Sequence, residues 1–296
     1  MLANPSYLLV QFLNGLSLGM NLFVIAAGLT LILGVLRVLN FAHGAFFLVG
    51  GYVTFSIVKL LADTPGAFWF AVLGAGAALA AMAYVIEQLF LRHLYDRDHV
   101  YQLLLTFALV LLIGDMLKAF WGTSVLSVPY PAGFDGATRL GAIYYPTYRL
   151  LLCALGIASA LGLWFVINRT RWGRMVRAAT QDREMLSALG LNVPRIYMTV
   201  FVIGSALAGI GGALAAPVLS VFPGLDAQII IQCFIIVIIG GLGNLAGAFL
   251  GAFLVGQLTV FGIVFMPGLE LILIYLLMVA VLMFRPWGLL GRQEVQ

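Results

Sequence analysis

A handful of residues in this sequence have the type and spacing to do covalent chemistry, and each stands in the wrong setting for it. Gly15-Leu-Ser17-Leu-Gly19 has the spacing of a nucleophile elbow, which needs a strand-to-helix turn and a histidine partner. Here it lies inside one continuous apolar run, where small residues let helices pack closely in lipid. It reads as packing. Gly241-Leu-Gly243-Asn244-Leu-Ala246 fits the G-x-G-x-x-A form of a dinucleotide fingerprint, but it lacks the preceding strand and the acidic residue about 20 positions on. Cys153 and Cys233 sit in separate apolar runs, without C-x-x-C spacing or adjoining histidines, and read as small packing residues. No G-x-x-x-x-G-K-[ST] occurs, so any ATP this chain uses must be hydrolysed by a partner. No catalytic residue, metal site or cofactor is assigned to the chain itself.

Ionisable residues at membrane depth are costly and default to a functional hypothesis. They are few: Glu87, Asp115 and Glu270 near the ends of apolar runs, and the Arg37, Asn40 and His43 group at a break between two. A proton- or sodium-coupled carrier would show acidic residues in mid-span, so their scarcity argues against a stand-alone secondary carrier. For Asn40 and His43 two roles compete. They line a translocation path, or they cap a broken helix by bonding freed backbone groups. A membrane enzyme built on His43 and Asn40 would lack a metal-ligand cluster or paired carboxylates.

The elements that hold these residues follow from composition. Of the 296 residues 63% are hydrophobic and 9% charged, against roughly 25% charged in soluble domains, and the mean hydropathy is +1.11. A hydrocarbon core about 30 Å thick takes roughly 20 apolar residues per helix, and runs of that kind cover 8–36, 41–61, 67–91, 100–120, 147–168, 196–216, 227–243, 245–266 and 268–284. The short alternating segments of a membrane barrel are absent. The expectation is an all-α polytopic bundle of eight to ten spans filling residues 1–296 as a single transmembrane domain. Its helices are broken or re-entrant at Asn40 and at Gly240 to Asn244, where Gly and Asn weaken a helix. The opening MLANPSYLLV lacks the positive region and cleavage site of a signal peptide, so the first helix is expected to be retained.

Charge sets the orientation, because loops rich in Lys and Arg stay in the cytoplasm. The 13 arginines outnumber two lysines, which points to topology and not to nucleic acid. Six arginines fall between Arg169 and Arg195. Placing that segment inside also places Arg37, Arg92, Arg97, Arg285 and Arg292 inside, and puts the Pro- and Gly-rich loop from Trp121 to Tyr148 outside. With nine crossings the N-terminal end lies outside and the C-terminal end in the cytoplasm. A short echo links Asn40-Phe-Ala-His43-Gly44-Ala-Phe to Asn244-Leu-Ala-Gly247-Ala-Phe. Broken helices at matching positions of two halves mark a path near the midplane in transporters; alternatively, Gly, Ala and Phe are simply common here.

The segment TRWGRMVRAATQDREMLSALGLNVPR, 170–195, interrupts the apolar runs. Met175, Ala178, Ala179, Met185, Leu186 and Leu189 supply an apolar stripe at helical spacing, and Arg174, Arg177, Gln181, Asp182 and Arg183 supply polar positions. Gly190 ends one helical piece and Pro194 starts the next. The result is a cytoplasmic amphipathic knob. It docks on a partner, or it lies on anionic lipid.

Several of these stretches together are similar to a known family. Asn40-Phe-Ala-His43-Gly44 with Gly50-Gly-Tyr52, then Arg177-Ala178-Ala179, Asp182 and Gly190, then Phe201-Val-Ile-Gly204-Ser-Ala-Leu-Ala-Gly209, then Gly240-Gly241-Leu-Gly243-Asn244 with Gly247 and Gly251 resemble the permeases of bacterial ABC importers for branched-chain amino acids. The likeness covers nearly the whole chain. It implies that 169–195 is the coupling loop, with Arg174, Arg177, Ala178, Ala179, Asp182 and Gly190 docking on a cytoplasmic ATPase, and that Asn40, His43, Gly44, Gly241, Gly243 and Asn244 border the path. Gln181 stands where several relatives carry an acid. It further implies a second similar permease subunit, two ATP-binding subunits and a periplasmic substrate-binding protein. The bacterial inner membrane is the implied location. Amides, urea or aromatic acids are the cargo of related systems.

Overall fold

The structure, a computed structural model, describes residues 5–62, 64–95, 97–141, 143–181 and 183–291, and their side chains apart from those of residues 183 and 184. Asp182 and Arg292, both assigned above, lie outside the described residues. The chain is a helical bundle. In order, α1 is Pro5–Leu36, α2 Ala42–Leu60, α3 Ala67–Leu89, α4 His99–Trp121, α5 Thr147–Arg169, α6 Arg171–Gln181, α7 Arg183–Ala188, α8 Val193–Leu219, α9 Leu225–Gly240, α10 Leu245–Phe265 and α11 Glu270–Phe284. Seven of these (α1 to α5, α8 and α10) are long and apolar enough to cross a membrane. The other two apolar helices are short. With 16 and 15 residues, α9 and α11 reach only about 24 and 22 Å against a core of about 30 Å. Their ends are backbone-determined: glycines with left-handed φ precede both, Gly224 (φ 100°) and Gly268 (φ 84°), and Gly241 (φ 99°) stops α9. The apolar run expected to continue to 243 therefore ends three residues early.

From Gly15 onward α1 is apolar over most of its surface and is the most deeply buried of the long helices. It packs against α10, α8, α5 and α9. Contact between α1 and α8 is backbone to backbone, because Gly28 and Gly204 face each other: a Cβ at Gly204 would lie 2.7 Å from the Gly28 oxygen. Close approach of this kind holds helices together in lipid through dispersion, where the hydrophobic effect offers little. Around this axis α8 also carries α2 and α3, while α4 and α5 expose most of their side chains to the outside.

Two junctions share one backbone device. After α1, Arg37 takes φ 56°, four residues follow, and α2 begins; after α8, Ser220 takes φ 57°, four residues follow, and α9 begins. These are the non-glycine residues with left-handed φ among the described residues. Asn40 lies inside the first junction. Asn244, its counterpart in the sequence echo, instead caps α10, its Oδ1 accepting from the Gly247 N–H at 3.0 Å.

The Pro- and Gly-rich loop between α4 and α5 contains an antiparallel hairpin of β1, Ala137–Leu140, and β2, Ile143–Pro146. It is also tied to the second junction, since Leu126 and Val221 exchange two backbone hydrogen bonds of 2.8 Å.

Candidate translocation site

The first junction is enclosed in the bundle. Asn40 and His43 are both fully buried. His43 Nε2 lies 2.9 Å from the Ile25 carbonyl of α1, and since a carbonyl only accepts, Nε2 carries the proton and Nδ1 is the acceptor. Neither Nδ1 nor either amide atom of Asn40 has a partner among the described residues. The side chains therefore do not cap α2, whose N-cap Phe41 makes no side-chain cap bond. Instead His43 pins α2 to the middle of α1. Gly44 lies under α9, where a Cβ would meet the Asp226 oxygen and Ile230. His43→Ala is expected to lower the stability of the detergent-solubilised chain by about 2 kcal/mol, from the lost bond and the space left behind; an unchanged melting temperature would show that this bond carries nothing.

The second group assembles elsewhere. A Cβ at Gly241 would strike Gly291 and Trp287, and Gly243 packs on Gly34 in the last turn of α1. Asn244 Nδ2 donates to the Leu290 oxygen at 2.5 Å. Gly241, Gly243 and Asn244 thus join the α9–α10 break, the end of α1 and the C-terminal tail. Neither this group nor the Asn40 to Gly44 group borders the cavities described next.

A cavity of about 610 Å³ opens between the first half of α1, the start of α5 and the last turns of α8 and α10. Its polar wall is a stripe on α1: Tyr7, Gln11, Asn14, Ser17 and Asn21, spaced by four, three, three and four residues, which is one face of a helix. Arg149, in the first turn of α5, completes it. Asn14 Oδ1 accepts from Arg149 Nη1 and from the Tyr145 hydroxyl, the latter at 3.1 Å, while Asn14 Nδ2 donates to Gln11 Oε1 at 3.1 Å. Burial pushes the Tyr145 phenol up to about 12, so it stays a donor. The rest of the lining, with Leu152, Val260 and Ile263 among others, is apolar. Gly15 and Gly19, which flank Ser17, pack on Gln257 and Ala252 of α10.

A second cavity, of about 670 Å³, lies at the other end of the bundle, between the end of α3 and the start of α8. Glu87 is buried there, and Tyr95 donates to its Oε1 at 3.1 Å. Arg92 donates to Gln88 Oε1 at 2.7 Å. Ser187 of α7 and Asn192 and Arg195 of the α8 entry complete the rim.

Helices α6 and α7 form the amphipathic segment. Thr170 caps α6 by accepting from the Gly173 N–H at 3.0 Å, and Trp172 Nε1 donates to Thr199 of α8 at 3.1 Å. Arg177 bends back to the Ile167 carbonyl in the last turn of α5, one of the carbonyls a helix end leaves without an internal partner. Arg174 points outward, Ala178 is half-buried and Ala179 buried. Of the expected apolar stripe Leu186 is buried, but Met185 and Leu189 are 62% and 73% exposed. The stripe does not run through because the segment is two helices. At its end Gly190 has φ 79°, its N–H donates to the Ser187 carbonyl and that of Leu191 to the Leu186 carbonyl. This is a Schellman turn. Asn192 then caps α8, accepting from the Arg195 N–H at 3.1 Å.

A bundle of apolar helices with a polar cavity and a structured amphipathic segment between α5 and α8 is the form of a membrane permease. Residues 11–282 match the family described as branched-chain amino acid transport system / permease component, and the chain belongs to that family. It is 30% identical over 298 residues, 97% of either chain, to the high-affinity branched-chain amino acid transport system permease protein BraD of Pseudomonas aeruginosa. It is 28% identical over 305 residues to LivH of Escherichia coli, covering 98% of this chain and 97% of that one. A shorter stretch, 40% of this chain and 34% of the other, is 31% identical to the fructose import permease FrcC of Rhizobium meliloti. No solved structure matches it significantly. The chain is a transport permease, and the relatives it matches are transport permeases rather than enzymes.

Proposed function

We propose that this chain moves branched-chain or similar hydrophobic amino acids inward across the bacterial inner membrane, as one of a pair of permease subunits whose movement is driven by ATP hydrolysed on two cytoplasmic partners. A periplasmic binding protein hands over the cargo. Metal and cofactor have no part in this chain's own work, and nucleic acid is not a partner. The carrying observation is the α6–α7 segment: Met185 and Leu189 are exposed on a piece that Trp172, Arg177 and the Gly190 turn fix to α5 and α8. An apolar surface held on a rigid support suits docking on a partner, and Arg174 and Ala178, four residues apart and so on one face of α6, extend it; Asp182 is assigned to docking by the sequence alone. ATP-driven closure of the partners would carry this segment, and with it α5 and α8, so the bundle rocks between two openings.

Affinity purification of the tagged full chain tests the assembly. A co-purifying P-loop subunit that supports leucine uptake in proteoliposomes is the expected result, and a chain that purifies alone and still transports would sink it. Orientation has its own check. Ser187→Cys is expected to react with an impermeant maleimide only from the cytoplasmic side, together with the Arg174 side of α6; labelling from outside reverses the topology.

A further inference from the structure

Arg149 is a cation aimed into a membrane cavity. One of its donors goes to Asn14, a guanidinium has five, and no Asp or Glu among the described residues pairs with it. Asn21 lies in the wall of the same cavity, 6% exposed, with Oδ1 unpartnered. Seven residues from Asn14, it sits about 10 Å further along α1. The same cavity is lined by the aliphatic side chains of Leu152, Val260 and Ile263. Charge without a counterion, an empty neutral acceptor and an aliphatic wall describe a ligand with one carboxylate and one apolar side chain.

We propose that this cavity binds the carboxylate of the transported amino acid through Arg149, with its side chain against Val260 and Ile263. Building on the amino acid cargo proposed above, it assigns the residue that recognises it. Arginine suits the task because its planar fork meets a carboxylate with two parallel hydrogen bonds. The bond to Asn14, itself held by Tyr145 and Gln11, fixes the guanidinium before the ligand arrives. The ammonium meets neutral oxygens only, and Asn21 Oδ1 takes it as the solute moves inward. With no anionic partner for the ammonium, the site holds its ligand weakly, as a station on a path requires.

The test uses the full chain carrying Ile263→Cys, a position 53% exposed, while both native cysteines are buried. Maleimide labelling is followed with L-leucine, with 4-methylpentanoate, which keeps the carboxylate and side chain, and with leucinamide, which lacks the carboxylate. Both carboxylates are expected to protect, slowing labelling about tenfold at ten times their dissociation constant, and leucinamide is not. Arg149→Gln should remove the protection and cut the maximal rate of leucine uptake about 10- to 100-fold, the loss of a charge-assisted hydrogen bond. Equal protection by leucinamide, or none by either carboxylate, overturns the proposal. That result is obtained without any Arg149 variant, so a misfolded Arg149→Gln does not blunt the test. Wild-type chains that move no leucine, while 4-methylpentanoate still protects, would overturn the amino acid cargo and leave carboxylate recognition standing.

Discussion

Gly190→Val is expected to leave the chain in the membrane and to cut ATP-driven uptake about 5- to 30-fold. The backbone there has φ 79°, a left-handed conformation that costs an L-residue roughly 1–2 kcal/mol, and that difference reduces occupancy of the turn by the stated factor. The cost is conformational and not steric, because a Cβ at Gly190 has open space around it. Gly190→Asn is therefore the informative control, since asparagine tolerates this region and should retain most of the transport. With the turn loosened, Leu186 and Leu191 lose the hydrogen bond that closes α7 onto α8, and a push on Met185 and Leu189 is absorbed locally. The measurement is uptake and ATP hydrolysis side by side in proteoliposomes: hydrolysis that continues while uptake falls is the expected signature. Uptake at the wild-type rate in Gly190→Val would show that the turn does not transmit movement.

Gly28→Val is expected to be more severe, removing folded protein altogether. Its Cβ would collide with the carbonyl of Gly204, and the reciprocal change at Gly204 meets the Gly28 oxygen and the Ile32 side chain at 2.7 and 2.8 Å. Backbone cannot give way as a side-chain tip can. Overpacking typically costs about 1–3 kcal/mol when neighbours can adjust, and a contact between two helix backbones at the centre of the bundle lies at or above that range. Gly162 in α5 and Gly114 in α4 provide the contrast, since a Cβ at either meets nothing within 4 Å. Alanine there should be neutral or add up to about 1 kcal/mol of helix stability. The yield of monodisperse protein in detergent reads all of these variants. Wild-type yield from Gly28→Val would mean that α1 and α8 do not hold the bundle together.

What the sequence discloses depends on how local its cause is. Helices α3, α4 and α5 are uninterrupted apolar runs and lie where composition places them, and the Gly190 turn and the α8 start at Asn192 and Pro194 follow from residues a few positions apart. The hairpin Ala137–Pro146 was hidden, because strand pairing in a loop dense with Pro and Gly depends on register that no periodicity announces. At Asn40 and His43 the break is legible and the role is not: His43 bonds a carbonyl 18 residues back, a partner only packing reveals. The polar stripe on α1 was legible in principle, as five polar residues at helical spacing in an apolar run, but it was diluted by 32 residues of mostly apolar helix. Arg149 joins it from a different helix, which spacing along the chain does not encode.

The central position of α1 also constrains how the protein is made. This helix leaves the ribosome long before α8 and α10, the helices that enclose it. Until they arrive, Gln11, Asn14 and Asn21 face either lipid or the insertion machinery, and each amide in hydrocarbon costs several kcal/mol without a partner. Nascent chains shorter than about 265 residues should therefore stay beside the insertase, or be cleared by membrane proteases, and release should come only when α10 closes over the stripe.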